Sequence, residues 1–302
     1  MHMKEVTPGY YHEFRCIADK CKHNCCIGWE IDIDEEKMKF YNSLDTKLGQ
    51  RIRSNVEGEQ PHFVLAQGDR CPFLNDKNLC DIISELGENG LCEICHLHPR
   101  FRNFYSDFCE TGLGLCCEEA ARLILTQQEK VVIEIPTDVK LSDEEREFFE
   151  IRNMVFYLLQ DRNKSIYSRF SELSEKFGLK FSFSLDAVCD ILLGLERLDE
   201  KWTEELLSLK DFQFDEAVFE SVDFSVYLEN LTVYFVFRHF TNALEFADYS
   251  DCVKFALLST YVIAAVWVKN NCTSPEELAE VARMYSSEIE YSEENTYALL
   301  GL

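Results

Sequence analysis

No uncharged apolar run in this 302-residue chain is long enough to cross a bilayer. The longest uncharged apolar run, Phe255 to Val268, has 14 residues, against the roughly 20 that a spanning helix needs. It reads as a buried helix, and no membrane partner is expected. The start, Met1 to Tyr11, has no apolar core segment of the kind a secretory leader carries, so the expected location is cytoplasmic, with thiols kept reduced. Positive charge is also scarce: 30 Lys and Arg stand against 55 Asp and Glu, a net charge of −25. That balance argues against a general affinity for nucleic acid phosphates. A basic or lysine-presenting partner fits it better, although much of the acidity serves a solvated surface. The excess is heavier after residue 140, where 14 basic side chains face 31 acidic ones. No internal repeat and no low-complexity linker divides the chain.

Cysteine, by contrast, is plentiful and crowded. Of 14 cysteines, 11 fall between Cys16 and Cys117, and only Cys189, Cys252 and Cys272 lie beyond. A chain this long can bury a core without disulfide staples, which weakens a disulfide reading. Cysteines a few residues apart, gathered from separate parts of a chain, are how four-sulfur sites for Zn²⁺ or iron–sulfur clusters are built. Ligand type alone does not separate the two. Eleven thiols are too many for one tetrahedral ion, so some of them pack as small hydrophobes. Adjacent pairs, Cys25-Cys26 and Cys116-Cys117, send their side chains in different directions, so one of each pair reaches a common metal. His23, His96 and His98 sit beside the cysteines as ligands or supporting donors, or as polar loop residues. Cys21-x₃-Cys25 is followed by Gly28 where a third cysteine would complete the motif of radical enzymes that cleave S-adenosylmethionine, which disfavours that chemistry. Gly112-Leu113-Gly114 lacks the strand–GxGxxG–helix setting of a nucleotide loop.

In chain order, Trp29 to Asp34 alternates apolar and polar residues as a half-buried strand does, and Asp34 caps a helix beginning at Glu35. Residues 49–62, with Gly49, Gly58 and Pro61, read as loop, and Phe63 to Leu65 as a short strand. Asn75-Asp76-Lys77-Asn78 predicts a hairpin turn that sets Cys71 level with Cys80. Cys92-x-x-Cys95 is a compact bidentate unit. Gly112 to Gly114 hinge the approach to a helix whose N-terminus would favour a Cys116 or Cys117 thiolate. Val131 to Ile135 reads as a connecting strand. Ser142-x-x-Glu145 is a capping box, further helices are predicted over 184–197, 223–246 and 250–269, and Ser274-Pro275-Glu276-Glu277 opens another. The predicted fold is therefore mainly α with a small β component: a cysteine-rich, metal-binding N-terminal part, 1–125, packed on an α-helical C-terminal part, 126–302.

Several of these motifs together resemble the flagellin lysine-N-methylase family, itself similar to a broader group of zinc- or iron-chelating cysteine-cluster proteins. They are Phe14-Arg15-Cys16-Ile17 through Cys21-x₃-Cys25-Cys26, Cys71-Pro72-Phe73-Leu74, Leu79-Cys80, Cys95-x-x-His98-Pro99-Arg100, and Cys117-x-Glu119-Ala120-Ala121-Arg122-Leu123. A fainter echo lies at Tyr227-Leu228-Glu229-Asn230 and Tyr234 to Phe240. The resemblance implies an S-adenosylmethionine-dependent protein-lysine N-methyltransferase that carries an iron–sulfur cluster, 4Fe-4S or with zinc in its place, and acts on flagellin or another lysine-presenting protein. It implies Cys21, Cys25, Cys26, Cys71, Cys80, Cys95 and Cys117 as the metal ligands. Cys92, Cys109 and Cys116 are extras to that pattern. The competing reading is a non-enzymatic zinc- or iron-binding protein for storage, sensing or partner docking. Aromatic residues at helical spacing are core before they are site, and no catalytic residue follows from the sequence.

Overall fold

The computed structural model describes residues 3–302. It is mainly α-helical with few, short strands. Two compact units form: Arg15–Arg100, which holds eight of the cysteines, and Met1–Phe14 with Phe101–Leu302. The division proposed from sequence near residue 125 thus lies inside the larger unit. Strand β1 (Lys4–Val6) belongs to that larger unit.

In the smaller unit, α1 (Glu35–Ser43) starts where the Asp34 carboxylate accepts the Lys37 N–H at 2.8 Å, as its sequence predicts. Helix α2 (Lys47–Arg53) occupies sequence read as loop. Gly49 does not break it, because Thr46 caps it and a side chain at 49 would collide with Leu44; glycine there permits close approach. Strands β2 (Val56–Glu57) and β3 (His62–Phe63) pair antiparallel. The Trp29–Asp34 stretch buries Ile31 and Ile33, as its alternation requires, but its backbone pairs as a single bridge, Phe63 N to Ile31 O and Ile33 N to Pro61 O, rather than as a strand. Two short helices follow, α3 (Asp81–Leu86) and α4 (Glu93–Leu97), around a core of Tyr41, Ile52, Phe63 and Phe73.

The larger unit carries a three-stranded sheet of order β1-β5-β4, from β4 (Arg100–Phe104) and β5 (Phe108–Leu113). β1 runs parallel to β5 with Lys4 opposite Phe108. Gly112 lies in β5 rather than at a hinge, under the Phe101 and Phe237 rings that a Cβ would strike. Helix α5 (Glu118–Leu125) follows. The segment read as a strand at Val131 instead satisfies its backbone on the Gln160 side chain, at 2.7 and 3.0 Å.

Helix α6 (Asp143–Leu159) begins with the expected Ser142–Glu145 capping box. Then come α7 (Ile166–Lys176), α8 (Leu185–Gly194), α9 (Glu200–Lys210), α10 (Val222–His239), α11 (Tyr249–Lys269), α12 (Pro275–Ile289) and α13 (Glu293–Leu300). α11 is long and apolar enough to cross a membrane by length and composition, yet 83% of that apolar window is buried in the fold. It is the core helix that the 14-residue run predicted, fastened by Thr260 to Thr232 at 2.9 Å and by Trp267 Nε1 to Leu278 O at 3.0 Å. Two ion pairs with buried carboxylates tie other elements of the unit: Glu110 of β5 with Arg152 of α6, and Glu229 of α10 with Arg162 and with Arg169 of α7.

Candidate metal centre

Several cysteines of the smaller unit are brought into one neighbourhood by short, local devices. Ile27 and Arg70 pair antiparallel, and the Cys71 N–H donates to the Cys26 carbonyl at 2.8 Å, which sets those two residues side by side. Cys80 is the residue before α3, and Cys92 the residue before α4, with Cys95 one turn along. Asp34, besides capping α1, accepts the Glu93 N–H at 2.8 Å and so fixes where α4 begins.

The hairpin carrying Cys71 and Cys80 differs from expectation. Leu74, not Cys71, stands opposite Cys80. The Asn75 side chain accepts the N–H groups of Lys77 and Leu79, at 2.9 and 3.2 Å, while Asn78 turns left-handed at φ 56°. These local bonds centre the turn nearer Lys77 than Asn75. Cys71 nevertheless remains close enough to Cys80 for that sulfur's charge to act on its thiol.

Proton affinities report the gathering. Burial chiefly pushes the Cys71 thiol up to about 11, with the Cys80 and Cys92 sulfurs adding to it against the N–H groups of Phe73 and Leu74. Cys80 is raised for the same leading reason. In the Cys92–Cys95 pair, whose sulfurs are 3.4 Å apart, the shared hydrogen bond lowers Cys92 and raises Cys95, and Cys95 also feels Cys26 and Cys71. Cys25 falls to about 4, first because Cys26 donates to it, then through His98, while Cys26 is raised. Tyr41, its hydroxyl on the Gly90 carbonyl at 2.7 Å, is raised by burial and then by Cys92, Cys95 and Cys80. Several thiols that cannot all ionise side by side are what a divalent metal discharges by taking their protons' place.

Two thiolates on one tetrahedral ion with bonds of ~2.3 Å stand about 3.8 Å apart, and the Cys92–Cys95 pair is at that order of spacing. The wider set is not drawn round one point: among the described residues no group of three Cys, His, Asp or Glu is arranged to hold an ion. The donors fit a thiophilic centre by chemistry and neighbourhood, with Cys26, Cys71, Cys80, Cys92 and Cys95 as the connected set. Of the sequence-derived ligands, Cys25 lies at its edge beside Cys26 and His98. Cys21 donates to the His23 carbonyl at 3.0 Å. Cys117 belongs to the larger unit, as the residue before α5. Cys92, an extra to the family pattern, stands with its sulfur 3.4 Å from that of Cys95, as the Cys-x-x-Cys spacing of a bidentate unit requires.

The family model for the FliB lysine N-methylase C-terminal domain matches residues 113–302. The chain belongs to this family. It is 28% identical over 156 residues to proteins named lysine-N-methylase from Salmonella typhimurium (strain LT2) and Salmonella choleraesuis (strain SC-B67), an overlap of 46% of this chain and 37% of theirs. It is 27% identical over 142 residues to the flagellar biosynthetic protein FliU of Salmonella muenchen, covering 43% of this chain and 84% of that one. The match thus spans little more than a third of the two lysine-N-methylases. No solved structure matches. Within the family's matched segment lie α5 to α13 and Cys117, while the connected thiols precede it.

Proposed function

We propose that this chain is part of an S-adenosylmethionine-dependent protein-lysine N-methyltransferase, acting in the cytoplasm on flagellin or another lysine-presenting protein. Its cysteine-rich unit holds an iron–sulfur cluster of the 4Fe-4S type, with zinc as the other candidate. The observation that carries the reading is the family match across the helical unit. The thiol set of the smaller unit and the relatives' flagellar and methylase names support it.

On this reading Cys26, Cys71, Cys80, Cys92 and Cys95 supply the sulfurs, of which a tetrahedral or cubane site takes four. Bound S-adenosylmethionine would supply an electrophilic methyl group. The protein's part is to bring a lysine amine into line with it in neutral form, because an ammonium has no lone pair. The net charge of −25 favours the approach of a lysine-rich surface.

The test is methyl transfer to purified flagellin of the same source, with protein purified anaerobically and labelled donor. Iron, zinc and sulfide are measured on the same sample. Label on flagellin lysines is the expected result. No transfer with a filled centre and fresh donor would refute the assignment.

A further inference from the structure

One polar cluster in the larger unit is used neither by the thiols nor by the folding of a helix end. Tyr234 and Arg238 lie one turn apart on α10 and share a face. The Tyr234 hydroxyl is 3.0 Å from both Glu290 carboxylate oxygens and accepts from Arg238 Nη1 at 2.8 Å and from the Leu115 N–H at 3.2 Å. His239 Nε2 is 2.5 Å and Arg238 Nε 3.3 Å from Glu290 Oε1. The guanidinium rests on the Phe101 ring, 5.2 Å from its centroid.

A guanidinium has five N–H donors in a planar fork. Glu290 lies off Nε, and the Tyr234 hydroxyl takes one hydrogen of Nη1. The outer edge, Nη2 and the second hydrogen of Nη1, meets no acceptor among the described residues, although the side chain is only 17% exposed. Cys116 and Tyr291, sulfur to hydroxyl 3.0 Å, lie within electrostatic reach of the guanidinium, and Tyr291 is half open to solvent. These donors are not among the enclosed, partnerless polar atoms of the described residues, so this edge reaches solvent and is open to an incoming acceptor. A planar fork stacked on an aromatic ring is the form of cation suited to bidentate binding of a carboxylate, which a lysine would not reproduce.

We propose that the outer edge of Arg238, floored by Phe101 and bordered by Cys116 and Tyr291, is a carboxylate-binding site. Resting on the methyltransferase reading, it takes the amino-acid carboxylate of the methyl donor and leaves the neighbouring sulfonium among aromatic rings, which attract cations. An acidic segment of a protein partner could present the same group.

Titration calorimetry on the full chain separates these cases with three probes: S-adenosylmethionine, its decarboxylated analogue, and a glutamate-rich hexapeptide. Removal of the carboxylate is expected to weaken binding to the wild type by about tenfold to a hundredfold. Arg238→Lys, which keeps a cation opposite Glu290, is expected to weaken the intact donor similarly and leave the decarboxylated analogue unaffected. That coupling between two changes does not depend on the variant's stability, and the wild-type comparison needs no variant. Equal losses with both donors, or none, would overturn the site while leaving the methyltransferase reading in place. Arg238-dependent binding of the peptide, with no binding of the intact donor, would uphold the carboxylate site and remove the donor reading. No Arg238-dependent binding of any probe would end the proposal.

Discussion

Cys92 and Cys95 hold their sulfurs 3.4 Å apart across the first turn of one short helix, both within the electrostatic reach of Tyr41. Two sulfurs this close can share one ion, so the pair should matter to metal content. Cys92→Ser or Cys95→Ser is expected to lower bound iron or zinc per chain by at least about half, and affinity by tenfold or more, since one soft ligand is lost. Cys252→Ser, a thiol buried in the larger unit beneath the Phe240 carbonyl, serves as the control and should leave metal content unchanged. Elemental analysis of anaerobically purified protein decides it.

Removing the metal should act locally. The smaller unit has a modest core of its own, and binding free energy at a site assembled by folding is folding free energy. Treatment of the full chain with a strong chelator is therefore expected to speed amide exchange across residues 15–100 far more than across 101–302. Uniform exchange before and after chelation would show that the thiols hold nothing structural.

Glu110 and Arg152 form a bidentate pair at 2.6 Å in both arms, with no exposure of either side chain, and Tyr105 donates to the same carboxylate at 3.0 Å. The pair joins β5 to α6 beneath Phe148 and Phe149. Removing one partner leaves an uncompensated buried charge, so Glu110→Leu alone should cost about 3–5 kcal/mol. The double change Glu110→Leu with Arg152→Met should cost less than either single change, because no charge is left stranded. Urea unfolding of the three variants measures the difference.

The elements legible in the sequence were those with local causes. Asp34, Ser142 with Glu145, and Ser274 with Pro275 each announced a helix start through a bond closed within three or four residues. The sheet was not legible, because Lys4 meets Phe108 across more than a hundred residues, and β5 buries Glu110 and Thr111, polar residues that hide its apolar character. For the candidate site, sequence placed Cys26, Cys71, Cys80 and Cys95 in one neighbourhood but missed the Cys71–Cys80 register, which depends on the Asn75 side chain. The Cys92-x-x-Cys95 unit was legible from its spacing alone, and its sulfurs stand 3.4 Å apart. The Arg238 edge left no sequence signal, since its meaning lies in which donors are already taken.

Glu145 offers a pH test of the helix start it caps. Its carboxylate accepts from the Ser106 N–H at 2.6 Å, the Ser106 hydroxyl at 2.9 Å and the Ser142 N–H at 2.8 Å. Burial pushes its proton affinity up, but these donors outweigh burial and hold it below the ordinary 4.5. A carboxyl whose folded value lies below its unfolded one adds stability that is complete above the unfolded value and lost as the pH falls through the folded one. Glu145→Gln keeps one acceptor oxygen and removes the charge, so at pH 7 it should cost about 1–2 kcal/mol. The gap between wild type and variant should then narrow as the pH drops below about 4.5. Denaturant midpoints for both proteins, measured from neutral pH down to where the wild type begins to unfold, would show this convergence. A gap that stayed constant over that range would mean that Glu145 holds the helix by shape alone, with its charge contributing nothing.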